Sequence, residues 1–157
     1  MNRWYTVKVK YTKKVEKNGN EDLKKVNEAF LLPAVSFTDA EARITKEIGK
    51  SAQGEFLVHA MSVTDVTDVV RNQDGGQWYK CKIEISEEDD NGKVSKTKQT
   101  YMVEEFSVQS ANNKLADKLS DAMFTYETTD VSLTKIMDVF YEDLDVELSR
   151  EPVSNEE

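Results

Sequence analysis

Apolar and polar residues alternate in two segments of the chain, residues 4–11 and 78–86. One parity is apolar in both segments, with Tyr5, Val7, Val9 and Tyr11 in the first and Tyr79, Cys81, Ile83 and Ile85 in the second. The other parity begins with tryptophan and continues with polar residues, Trp4, Thr6, Lys8 and Lys10, then Trp78, Lys80, Lys82 and Glu84. A period of two is typical of a strand with one buried face. Both segments are therefore predicted to be strands that bury a tyrosine and expose a tryptophan among lysines.

The same order of elements follows each of these strands. In the first half, a polar turn at 18–20 predicts a hairpin, a helix follows, and residues 55–70, rich in Val and Thr, predict one long or bulged strand. In the second half, a turn at 90–92 leads to another strand, then to a helix capped by Ser110, and then to a strand within 129–141. The predicted order is ββαβ in each half.

The helix of the first half carries the clearest local signal. Thr38 and Glu41 are spaced as a capping box, and Phe37 and Ala42 are placed as the hydrophobic staple pair. Gly49 is predicted to end this helix in the left-handed conformation.

Matched positions indicate that the second half repeats the first. Trp-Tyr opens each half, Asn-Gly follows 14 and 13 residues after the tryptophan, and Phe30 and Phe106 lie 26 and 28 residues after it. We predict an α+β fold class: an internally duplicated ββαβ-ββαβ chain with a largely antiparallel sheet, two helices on one side and pseudo-twofold symmetry. Residues 1–141 are predicted to form a single domain of two repeats, at about 4–70 and 78–141.

Charge divides the chain unevenly. The net charge is −9, and residues 77–157 hold 9 Lys/Arg against 19 Asp/Glu. Residues 142–157 alone carry seven acids and one arginine, without sustained periodicity. This composition predicts a disordered acidic tail.

Several cellular settings and chemistries are disfavoured. The chain has no apolar run near the roughly 20 residues that a membrane helix needs, and no secretory signal. Cys81 is the only cysteine, so an internal disulfide is excluded and a reducing, cytoplasmic location is predicted. His59 is the only histidine, and Cys81 takes the apolar parity of its strand, so no metal site, cofactor or catalytic group is predicted. The sequence spacing of Cys81 and His59 does not exclude a Cys/His nucleophilic pair. An enzyme that uses a cleft between the two halves also stays open.

The tryptophans and lysines on the predicted outward faces of the two opening strands support a functional hypothesis. Trp4, Lys8 and Lys10, with Trp78, Lys80 and Lys82, combine stacking rings with cations, as proteins that hold single-stranded nucleic acid do. The structural alternative is that each tryptophan packs beneath a loop or a partner subunit while the lysines solvate the sheet. The functional alternative is a protein-interaction module, a virion component or an inhibitor of a host factor, that presents its acidic second half to a basic partner. The tail would compete with nucleic acid, recruit a partner protein, or only add solubility.

The blocks "WYTVKVKYTKK", "LKKVNEAFLLPAVSFTDAEARI" and "WYKCKI" carry a family resemblance. Up to about Tyr141 the chain resembles an uncharacterised small-protein family of gut Bacteroidales and their crAss-like phages. The resemblance implies a phage or mobile-element accessory protein. It implies no activity and no site residues.

Overall fold

The computed structural model describes residues 2–140 and confirms the α+β class. Its elements within this range are β1 Arg3–Lys17, β2 Asn20–Ala34, α1 Phe37–Gly49, β3 Leu57–Val63, β4 Val66–Val70, β5 Gln77–Glu88, β6 Val94–Glu105, α2 Val108–Lys118, β7 Thr125–Leu133 and β8 Ile136–Val139. The acidic tail predicted at 142–157 lies outside the described residues. Neither helix between residues 2 and 140 is long and apolar enough to cross a membrane.

The strands form two four-stranded sheets, each in its own compact unit. The first unit contains residues 2–64 and the described residues from Met137 onward, and its sheet has the order β3-β1-β2-β8. The second unit is Asp65–Ile136, with the order β4-β6-β5-β7. In this second sheet β4 runs parallel to β6, whereas β5 is antiparallel to both β6 and β7. The arrangement is largely antiparallel, but it is built as two sheets and not as the one sheet that was predicted.

Residues 55–70 form two strands in different sheets, so the prediction of one long or bulged strand is wrong. β3 pairs with β1, and β4 pairs with β6. The break falls at Thr64, whose backbone N–H and hydroxyl both donate to the carbonyl oxygen of Trp4, at 2.8 and 3.0 Å. These two bonds end the pairing of β3 with β1. The sequence has no proline or glycine at this point, so its composition gave no sign of the break.

The first core packs α1 against one face of the β1–β2 hairpin. Its buried members are Tyr5, Val7, Val9, Tyr11, Phe30, Leu32, Ala34, Ala40, Ile44 and Ile48. All four apolar residues that alternation placed on β1 are therefore buried, as predicted. The opposite parity of β1 forms the outer face of this sheet, away from α1.

Ser36 caps α1. Its backbone is extended, at φ −161° and ψ 169°, and its hydroxyl accepts a hydrogen bond from the Asp39 N–H at 3.1 Å. The Asp39 carboxylate accepts from the Val35 N–H at 2.9 Å and from Arg43 Nε at 3.2 Å. These two bonds, the backbone one foremost, hold the pKa of Asp39 below its ordinary value.

The predicted ends of α1 are wrong at both termini. The helix already begins at Phe37, so Thr38 is a helical residue that cannot cap it. The Thr38–Glu41 capping box and the Phe37–Ala42 staple both required Thr38 as the cap, so neither forms as predicted. At the other end the cap is Lys50, which is right-handed at φ −71°. The helix thus closes without a left-handed glycine.

The second core repeats this packing with α2 and β5. Its buried members are Tyr79, Cys81, Ile83, Ile85, Tyr101, Val103, Ala111, Leu115 and Leu119. Ser107 caps α2, and Ser110 takes the third helical position of a capping box, where its hydroxyl accepts from the Ser107 N–H at 3.0 Å. The predicted cap at Ser110 is therefore three residues late.

Candidate nucleic-acid interface

Trp78 is buried, which contradicts its predicted exposure. It takes the parity opposite the α2 face, as the alternation required, yet only 2% of its surface is exposed. The Arg71 guanidinium lies 5.7 Å from the centre of its ring. The adjacent outer-face residues of β6, Met102 and Glu104, are also buried. The alternation in the sequence correctly placed Trp78 on the face of β5 that does not contact α2. It could not predict that this face is also buried at Trp78.

Trp4 differs from Trp78 because it is half-buried. It opens β1 opposite the buried Pro33 of β2, and its carbonyl oxygen receives the two bonds from Thr64. Trp4 is therefore partly accessible to solvent at one end of the outer face of the first sheet.

Lys8 and Lys10 are exposed on this outer face, as predicted. The pairing register puts Lys8 between Ala60 of β3 and Ala29 of β2. Because both neighbours are alanines, neither carries a side chain long enough to cover Lys8. Successive outward residues of a strand are about 6.8 Å apart, at roughly 3.4 Å per residue.

Lys25 joins the same cationic surface from β2. Lys10 pairs with Asn27, and Lys25 lies two residues further along β2, diagonally across from Lys10. Such diagonal neighbours are about 7–8 Å apart between Cα atoms. We call the exposed set Lys8, Lys10 and Lys25 the lysine face.

The lysine face carries cations that have no ion-pair partner among the described residues. No ion pair within residues 2–140 involves Lys8, Lys10 or Lys25, although nearby lysines of the same hairpin are paired. Lys13 lies 2.7 Å from Glu28, and the longer Lys14–Glu21 contact is 4.0 Å. Three ammonium groups are left to attract an anionic ligand.

The corresponding surface of the second sheet has acidic neighbours. Lys82 pairs in the register with Asp130, and Lys96 forms an ion pair of 3.5 Å with Glu84. Lys80 is half-buried between Ser132 and Met102. The six predicted site residues thus fall into two groups on different sheets. Trp4, Lys8 and Lys10 share β1, and Trp78, Lys80 and Lys82 share β5.

Three residues that lie beside the first group were missed from the sequence, namely Lys25, Asn27 and His59. His59 sits at a bulge of β3, between the residues that pair with Lys8 and Val9, and its Nε2 lies 2.8 Å from Asn27 Oδ1. Lys25 and Asn27 could have been found only from the register of the hairpin. A bulge position such as that of His59 leaves no periodic signal.

The chain also matches a known domain family along most of its length. The family described as a domain of unknown function, DUF4494, matches residues 3–142. The chain belongs to the DUF4494 family. No curated protein and no solved structure matches it. The DUF4494 match includes both halves and ends where the acidic segment begins, and the family's description assigns no activity that would carry over to a residue.

Two other titratable groups, Cys81 and Tyr11, have raised pKa values. Burial, with a smaller effect of Asp130, raises the pKa of the Cys81 thiol to about 11, so the thiol is protonated at neutral pH and is a poor nucleophile. Within residues 2–140 no group of His, Cys, Asp and Glu is arranged to hold a metal ion. Burial and the hydrogen bond to Glu28 also raise the pKa of Tyr11, which keeps its phenol protonated.

Proposed function

We propose that this DUF4494 protein is a non-enzymatic accessory protein that binds single-stranded nucleic acid on its lysine face. The observation that carries the proposal is the exposed set Lys8, Lys10 and Lys25 on adjacent strands of one sheet, none of which forms an ion pair within residues 2–140. Residues 1–64 hold 11 Lys/Arg and 8 Asp/Glu, a net charge of +3, within a protein of −9. The first unit therefore attracts polyanions although the whole chain is acidic.

The geometry favours an extended strand as the ligand. Lys8 and Lys10 repeat along β1 at about 6.8 Å, a spacing that suits successive phosphates of a stretched single strand. Each phosphate contact on a single strand contributes about −0.7 to the slope of log affinity against log salt. Three contacts predict a slope of about −2, or a roughly 20-fold loss of affinity between 50 and 200 mM salt.

Stacking has a smaller part than the sequence suggested. Trp78 is too buried to receive a base, and Trp4 is half-buried. The proposal therefore relies mainly on the lysines, with at most one base against Trp4.

Fluorescence polarisation of a labelled 12-nucleotide single strand tests the proposal. The Lys8→Gln/Lys10→Gln variant should bind more weakly. Its slope of log affinity against log salt should become shallower by about 1.4, since two phosphate contacts are lost. The matched control is Lys80→Gln/Lys82→Gln, which removes two positive charges at the corresponding positions of the second sheet. Equal losses in both variants, or no binding by the unaltered protein at low salt, would refute the lysine face.

A protein partner for the second unit is the second candidate function. Residues 65–136 hold 9 Lys/Arg and 14 Asp/Glu, a net charge of −5, and four of the acids are consecutive at 87–90, at the turn between β5 and β6. A basic protein surface would complement them. Capture of a partner that survives nuclease treatment and is lost when residues 87–90 are neutralised would support this function. Capture that depends on nucleic acid would count against it.

We further propose that the two halves arose by internal duplication and are related by pseudo-twofold symmetry as repeats of one domain. Several supporting features recur at matched places. The edge strand is bulged after Lys8 in the first half and after Lys82 in the second, each four residues beyond the tryptophan. Thr134 bonds to the Trp78 carbonyl oxygen through its N–H and hydroxyl, as Thr64 does to that of Trp4. A homologue of about 70 residues that contains one ββαβ unit, and that aligns with both halves of this chain, would support this origin.

The family resemblance also supports a proposal about which genome encodes the protein and where it acts. We propose a phage or mobile-element accessory protein of gut Bacteroidales that acts in the host cytoplasm. Co-expression of its gene with phage genes during infection would support this setting.

A further inference from the structure

A cleft of about 560 Å³ opens beside the lysine face, in the first unit. Lys10 and Lys25 line it on the β1–β2 hairpin, together with Asn27. Phe56 and Leu57 line it from the start of β3. Cavities that bind small ligands in proteins run from about 300 to 1,000 Å³, so the cleft is large enough for a nucleotide.

The hairpin side of the cleft suits a phosphate. Lys10 and Lys25 are diagonal neighbours on the outer face, so their flexible ammonium groups can converge on one anion. Asn27 lies beside Lys10 on this side, and its Oδ1 is engaged by His59 Nε2 at 2.8 Å. With the oxygen occupied, the Asn27 amide is oriented to donate its N–H groups to a ligand.

The β3 side suits a base. Phe56 is half-buried and packs on the first core, which fixes its position, whereas Leu57 is 59% exposed beside Lys10. A leucine this exposed, next to a half-buried phenylalanine and inside a cleft, provides an apolar surface for a flat ring. Glu55, also exposed, adds a carboxylate to the same wall.

The carboxylate restricts which base fits. Glu55 accepts hydrogen bonds and cannot donate them when ionised, so it favours a base with an exocyclic amine, as cytosine N4 is read by Glu or Asp. Thymine presents an oxygen at that position and would face the carboxylate unfavourably. Lys10 and Lys25 outweigh Glu55 in charge, so the cleft still attracts a phosphate.

We infer that this cleft is a nucleotide subsite that holds one amine-bearing base against Leu57 and Phe56 and its phosphate between Lys10 and Lys25. The inference rests on the proposed function, since it names the part of the strand that this end of the lysine face receives. The same nucleotide chemistry could come from a residue within a strand or from a free nucleotide, and the test separates these two sources.

Binding of dC12, dT12 and free cytidine monophosphate should be compared in the full chain and two variants. We expect dC12 to bind more tightly than dT12, and Glu55→Gln to reduce that preference. Leu57→Ser should weaken dC12 by about tenfold, the lower end for a lost apolar pocket contact. Leu133→Ser is the matched control, because Leu133 is similarly exposed, at 54%, on an edge strand of the second sheet.

The outcomes separate the inference from the proposed function. If Lys8→Gln/Lys10→Gln weakens dC12 but Leu57→Ser behaves like Leu133→Ser and dC12 equals dT12, the subsite is refuted and the lysine face stands. If neither oligonucleotide binds but cytidine monophosphate shifts the NMR signals of the Asn27 amide and His59 ring, the cleft is a free-nucleotide site and the strand proposal fails. If nothing binds, both are refuted.

Discussion

Replacing Trp78 by alanine should weaken the fold of the second unit. Its ring is 2% exposed and lies under the Arg71 guanidinium. Truncating a buried tryptophan costs about 3–5 kcal/mol, and losing the cation–π contact adds roughly 0.5–2 kcal/mol. Typical domains are stable by about 5–15 kcal/mol, so about a quarter or more of the free energy of unfolding should be lost. Urea unfolding followed by circular dichroism measures this loss directly.

The two tryptophans allow an independent measurement that needs no destabilised variant. The chain has only two, so Trp4→Phe leaves Trp78 as the sole indole emitter and Trp78→Phe leaves Trp4. Acrylamide should quench the emission of Trp4, which is half-buried, more strongly than that of Trp78. If Trp78 quenches as readily as Trp4, and Trp78→Ala costs less than about 0.5 kcal/mol, the usual range at surface positions, the assignment of Trp78 to the folded interior is wrong.

Three further changes test other parts of the structure. Ser36→Ala should lower the free energy of unfolding by about 1 kcal/mol, whereas Thr38→Ala should leave it nearly unchanged, because Ser36 is the cap; the reverse order in urea unfolding would contradict the helix start. Gly76→Ala should lower the unfolding midpoint more than Gly75→Ala, because a Cβ at Gly76 would lie 2.6 Å from a carbonyl oxygen of β6 while the space at Gly75 is open; equal midpoints would contradict this close approach. Removing residues 142–157 takes away a net charge of −6 and should tighten oligonucleotide binding at low salt; unchanged polarisation curves would show that this segment does not oppose the ligand.

Local patterns predicted the elements whose physical causes are local. The period of two placed Tyr5 and Tyr79 in the two cores because alternation is a property of the strand itself. The helices were also found, but their starts were displaced: Ser36 and Thr38 both have hydroxyls that can cap, and the choice depends on where the preceding strand releases the chain. Helix boundaries therefore depended on tertiary structure more than helix existence did.

The candidate site depended on information that no local pattern holds. Burial of Trp78 depends on what covers the outer face of its sheet, and alternation specifies only the face. Lys25 joined Lys10 through the hairpin register, which the length and type of the turn determine together with the hydrophobic pattern. The lysines themselves were predicted, but the small neighbour of Lys8 in one sheet and the acidic neighbour of Lys82 in the other became visible only when the cross-strand register was known.

Those neighbours differ at one matched place in a way that a charge exchange can test. Lys8 and Lys82 both lie four residues after the tryptophan, yet Lys8 faces Ala60 on its edge strand and Lys82 faces Asp130. Ala60→Asp should therefore weaken oligonucleotide binding by pairing Lys8, whereas Asp130→Ala should strengthen it or leave it unchanged. Both positions are exposed on edge strands, so the fold should tolerate both changes. If Ala60→Asp leaves the polarisation curve and its salt slope unaltered, Lys8 does not contact the ligand, and the difference between the two sheets has no bearing on binding.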